Sequence, residues 1–138
     1  MPYVPKVVLP KINPFGTMVG AVSNGGVPSI FISTSVYRDE QAANIRFFGR
    51  MEGPYPLAPA AIQVEIKGED TPSGTYTLAD KVLSVIYIPH GSTQGRSAES
   101  AEVLFIRSGP IIWIRGRVQA QTREGDDIDV VYSIFEMA

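Results

Sequence analysis

Apolar and polar residues along this chain alternate mainly with a period of two, in short runs separated by glycine, proline, asparagine and aspartate. That is the pattern of strands, each presenting one face to a core and the other to water. The cleanest case is 61–67, where Ile62, Val64 and Ile66 point one way and Gln63, Glu65 and Lys67 the other. Residues 42–51 behave alike, with Ala43, Ile45, Phe47 and Gly49 alternating against Asn44, Arg46, Phe48 and Arg50. Further strands are expected over 17–22, 75–78 and 101–107. A single strand is expected over 29–37, with Ile30, Ile32, Thr34 and Val36 sharing a face. Residues 81–88 are apolar on both faces, which predicts a central strand covered on both sides or by a partner. Two glycine- and proline-containing stretches, 53–59 and the polar 89–100, read as surface loops.

The strongest element is a C-terminal hairpin over 111–137. A two-residue turn with Glu124 and Gly125 at its tip suits the positive φ that glycine tolerates, and it places Arg123 opposite Asp126. In that register Val118 meets Val131, Gly116 meets Ser133, Ile114 meets Phe135 and Ile112 meets Met137, an apolar face expected to be core. On the other face Trp113 meets Glu136, Arg115 meets Ile134, Arg117 meets Tyr132 and Gln119 meets Val130. This second face mixes Trp, Tyr, Arg and aliphatic residues, a composition closer to an interface centre than to a plain solvated strand. Cover by the chain's own N-terminal arm, by a partner or by a ligand are all consistent with it.

Prolines at 2, 5, 10 and 14 exclude helix at the start of the chain and remove ladder donors. Residues 1–16 are therefore expected to form an extended arm, strapped over its own domain or reaching a neighbour, and 17–138 a single domain. The fold class that follows is all-β: one antiparallel β sandwich or β barrel of about eight or nine strands.

Composition narrows the functions. There is no cysteine, so disulfides, thiolate metal sites and cysteine nucleophiles are excluded. Twelve basic against fourteen acidic residues give a net charge of −2, which weighs against nucleic acid as a partner. Arg46-Phe47-Phe48-Gly49-Arg50 and Trp113-Ile114-Arg115-Gly116-Arg117 do place arginine beside aromatics on strands, as base-stacking faces do. Ordinary amphipathic packing gives the same pattern. No apolar run approaches the ~20 residues of a membrane helix, and no leader-like segment opens the chain.

Candidate chemistry is sparse. The one histidine, His90, sits in the 89–100 loop with no assignable partner to orient it as a base. Glu124, Asp126, Asp127 and Asp129 are the sole acidic cluster, but they lack the spacing of a calcium loop and read as a solvated hairpin tip. Phosphate-loop, dinucleotide and nucleophile-elbow motifs are missing. No cofactor, metal or catalytic constellation is expected. The leading expectation is a structural or interaction module that self-associates, as a homo-oligomer or with another protein. Trp113, Arg115, Arg117, Tyr132, Arg46 and Arg50 are the candidate binding residues. The alternative is a small-molecule or glycan site built on the aromatic–arginine face.

Overall fold

A computed structural model describes residues 16–24, 26–39, 44–52, 60–92, 94–108 and 112–136. Residues 1–15 of the expected 1–16 arm, the 53–59 loop and the outermost hairpin residues 111 and 137 lie outside these; Gly16, expected to end the arm, begins the first strand. Ten strands carry the fold, and no helix occurs among the described residues. They are β1 (Gly16–Asn24), β2 (Val27–Ser33), β3 (Ser35–Asp39), β4 (Ile45–Met51), β5 (Ala60–Ile66), β6 (Gly74–Thr77), β7 (Val82–Ile88), β8 (Arg96–Ser108), β9 (Ile112–Thr122) and β10 (Asp127–Glu136).

Eight of them close a barrel in the order β1-β10-β9-β8-β7-β5-β4-β3, with a single parallel bridge, Gly16 to Ser35, joining β3 back to β1. The two extra strands lie on its flanks: β2 pairs with β1, and β6 with β8. Alternation fills the interior. Phe47, Ile62, Val64, Val103, Phe105, Ile114 and Val118 are wholly buried, and the rings of Phe47 and Tyr132 meet at 4.5 Å.

Closure depends on two corners. Residues 29–37 do not form one strand; the chain bends at Thr34 and changes partner, from β1 along β2 to β4 along β3. The bend also switches faces, so Ile30 and Ile32 point to solvent while Val36 is buried. Ser33 secures it: its hydroxyl donates to the Arg50 carbonyl at 2.6 Å and accepts the Arg50 amide at 3.0 Å, standing in for a ladder partner. At the second corner, β8 leaves β7 after Ser97 and runs on beside β9, with a register shift between Ala98 and Ser100. The predicted 89–100 loop is thus half strand. Its polar residues gave no alternation because Ser97, Glu99 and Ser100 face water.

Arg96 anchors that corner. It reaches both carboxylate oxygens of Asp126, at 3.0 and 3.2 Å, and the Thr122 hydroxyl donates to the same carboxylate at 2.7 Å. Asp126 is completely buried, so the acidic tip expected to be solvated contributes a buried charge that needs this pairing. In the same region the Tyr87 hydroxyl donates to Asn24 Oδ1 at 3.0 Å, and burial raises its pKa.

On the outer face of strand β7, Ile86 and Ile88 are half-buried beside Gly95, but Leu83 is not covered. A bulge opposite Glu65 and Ile66 leaves Leu83 without a partner and nearly half exposed. The extra residue shifts the alternation, so Val82 and Val85 both face the core. The bulge accounts for the apolar pair Val82 and Leu83, while Ile86 and Ile88 keep to the outer face opposite to Val85 and Tyr87.

Candidate functional site

The expected hairpin register is off by one residue. Val118 pairs with Val130, Gly116 with Tyr132 and Ile114 with Ile134. The loop is a three-residue one, Arg123-Glu124-Gly125, closed by Thr122 and Asp126: the Thr122 amide donates to the Asp126 carbonyl at 3.0 Å and the Gly125 amide to the Thr122 carbonyl at 3.1 Å. Gly125 takes φ +96°, as the last position of such a loop requires. A slip of one residue exchanges the two faces of a strand, so β10 is inverted relative to the expectation. Ile128, Val130, Tyr132 and Ile134 are core, and Val131 and Ser133 face outward.

Tyr132 therefore does not belong to the outer face. Its hydroxyl donates to the Leu104 carbonyl at 2.9 Å, in space left free because residue 116 has no side chain. A Cβ on Gly116 would stand 1.7 Å from that carbonyl oxygen. Burial pushes the Tyr132 hydroxyl pKa far above its ordinary value.

The other three hairpin candidates do share the outer face of β9. Trp113 donates its indole N–H to Ser133 Oγ at 3.0 Å, and the Arg115 guanidinium lies 5.3 Å from its ring centroid. Arg117 makes a two-pronged pair with Asp129, at 2.8 and 2.7 Å. Hydrogen bonding from Arg117 holds the Asp129 carboxyl below the usual carboxylate range. Both partners are about half in water, so this pair fixes side-chain directions more than it adds stability. Arg46 and Arg50 lie elsewhere. They are on β4, four strands from β9 in either direction around the barrel, with Arg46 over the Phe48 ring and Arg50 paired to Glu52.

What the structure places next to the β9 residues is a set outside the candidates: Val131, expected to be core, with Val19, Ile30 and Ile32. Val131 on β10 is directly opposite Val19 on β1, and Val19 is directly opposite Ile32 on β2. Ile30 lies two residues along the same face. These side chains are 54%, 42%, 51% and 68% exposed, and they form one apolar row bounded on the β9 side by Arg117. No charged residue occurs between Lys11 and Arg38, so β1 and β2 bring none to the row. That charge-free run was the available signal in the sequence.

No group of three or more potential metal ligands occurs among the described residues. Asp126, Asp127 and Asp129 diverge to Arg96, Gln121 and Arg117. The chain matches no protein-family model, no curated protein and no solved structure.

Proposed function

We propose that this protein is a structural β module that works by associating with itself, docking through the outer face of β2, β1 and β10. The observation that carries the reading is the Val131–Val19–Ile32 row with Ile30 beside it. Four large β-branched side chains are held about half exposed on a rigid, twisted sheet, where scattered single ones would need no explanation. Covering the remaining half of each is worth about 1 kcal/mol per side chain. Two copies together thus gain roughly 8 kcal/mol, which falls within the estimated cost of association, about 4–15 kcal/mol. The face alone makes a weak contact, suited to a subunit whose assembly depends on concentration.

The ligand-platform alternative loses support. It requires Tyr132 beside Trp113 on one surface, and Tyr132 points into the barrel with its hydroxyl committed to Leu104.

Light scattering over a concentration series tests the proposal. The wild-type protein is expected to gain mass with concentration. Val131→Lys, at an outward position, is expected to associate more weakly than wild type with an unchanged circular dichroism spectrum. A wild-type protein that remains strictly monomeric at high concentration overturns the reading.

A further inference from the structure

We propose that two copies of this chain also join edge to edge, β2 against β2, antiparallel about a two-fold axis at Ile30, a second contact beside the face; this rests on the self-association reading above. The argument starts from where the backbone of β2 points. β2 ends the strand order, and β1 is its strand partner among the described residues. The Ile32 amide is directed away from β1, toward Met51 Sδ at 3.2 Å. Along an antiparallel strand the direction of the backbone groups alternates. Ile30 and Pro28 therefore also turn their backbone groups to the open edge, while Phe31 and Ser29 serve the ladder with β1.

Among the described residues the open edge has definite ends. Beyond Ile32 it is closed by the Ser33 hydroxyl, which occupies both backbone groups of Arg50. At the other end it begins at Pro28, one residue after the start of the strand. Its midpoint is Ile30. A two-fold axis there sets Ile30 against the partner's Ile30, exchanging two N–H···O bonds, and sets Pro28 against the partner's Ile32. Pro28 has no N–H and can only accept, and Ile32 brings the donor that this acceptor needs. That donor now rests against a thioether, a weak acceptor on a side chain flexible enough to move aside. Four backbone hydrogen bonds result, and the Ile32 carbonyl that faces each proline is left without a donor.

Charge agrees with a like-on-like contact. Of the residues that commonly guard open edges, charged ones and proline, β2 carries no charge and the single proline Pro28, and β1 carries neither. Nothing on either strand repels its own copy. The paired Ile30 side chains would abut on the outer face, and the apolar rows of the two copies would become parts of one continuous sheet.

The test uses the full chain with Ile30→Lys and Ile30→Glu, both at an exposed position, read by light scattering and native mass spectrometry with circular dichroism as the fold control. Because the axis puts residue 30 against itself, each variant alone is expected to associate at least tenfold more weakly than wild type. An equimolar mixture is expected to recover association as a one-to-one heterodimer. Variants that associate like wild type, or a mixture that recovers nothing, overturn the edge pairing. If Val131→Lys associates more weakly than wild type while Ile30→Lys does not, the edge pairing fails and self-association through the face stands. A wild-type protein that never associates overturns both.

Discussion

Replacing Tyr132 by phenylalanine tests the core of the barrel and the hairpin register together. At neutral pH the substitution removes one buried hydrogen bond, from the hydroxyl to the Leu104 carbonyl. A bond of that kind is worth about 1 kcal/mol net, so Tyr132→Phe is expected to be less stable than wild type by that amount. Alkaline pH reverses the order. The Tyr132 pKa is raised in the folded protein by burial, whereas in the unfolded chain it ionises near 10. A group whose folded pKa is raised contributes stability that is complete below the unfolded value and is lost as pH climbs toward the folded one. Wild type therefore loses about 1.4 kcal/mol by pH 11 through this residue, a loss that phenylalanine does not suffer. The two stabilities should cross at about pH 10.6, and at pH 11 the variant should be ahead by about 0.4 kcal/mol. Tyr87, also raised, is present in both proteins and cancels.

Urea denaturation followed by far-ultraviolet circular dichroism at pH 7, 10 and 11 measures the difference. A gap of about 1 kcal/mol that persists unchanged at pH 11 would show that the hydroxyl is not held neutral in the fold. No gap at any pH would put Tyr132 in water, as the register slipped by one residue requires.

Two further substitutions probe what holds the barrel together. Gly116→Ala forces a Cβ against the Leu104 carbonyl oxygen and within 3.0 Å of the Tyr132 hydroxyl; an overpacking loss of about 1–3 kcal/mol is expected by chemical denaturation. A neutral result would mean that β8 and β9 separate more easily than their ladder implies. Arg96→Met leaves the Asp126 carboxylate buried without its cation, and because the Arg96 side chain is 37% exposed the usual buried-pair penalty is reduced, to about 2 kcal/mol. For a chain of this length that is a fall of roughly 6–7 °C in Tm, and a shift under 1 °C would show that Asp126 finds water instead.

The elements legible in the sequence are those whose alternation is uninterrupted. β4 and β5 were readable because Asn44, Arg46, Gln63 and Glu65 mark one face as clearly as Ile45, Phe47, Ile62 and Val64 mark the other, and both faces fell as expected. The all-β class and the eight or nine strands followed from the same pattern. What escaped was every place where a strand changes face or partner. The bend at Thr34 and the bulge at Leu83 each insert or redirect one residue, and nothing local distinguishes them from continuous strand. Their cause lies across the barrel, in the need to close it. The site was half legible for the same reason. Trp113, Arg115 and Arg117 were placed on one outer face from the β9 alternation alone. Val19, Ile30 and Ile32 were not among the candidates, because a large aliphatic on a strand ordinarily faces the core.

The hairpin shows how a local choice of turn governs the surface. Read by itself, β10 alternates Asp127, Asp129, Val131 and Ser133 against Ile128, Val130, Tyr132 and Ile134, and the second set is the apolar one. β9 likewise turns Ile114, Gly116, Val118 and Ala120 inward. Both strands thus bury even-numbered residues, and two facing positions of equal parity can be joined only by a loop of odd length. Gly125 suits a two-residue or a three-residue loop equally, so the glycine cannot decide between them. Asp126 does: its carboxylate is the partner that Arg96 and Thr122 require inside the barrel end, and the three-residue loop is the one that turns it there. The same choice sends Tyr132 in and Val131 out, beside Val19 and Ile32. A buried carboxylate paired to a part-exposed arginine at the barrel's end and an apolar row on its outer wall are therefore two consequences of one loop length.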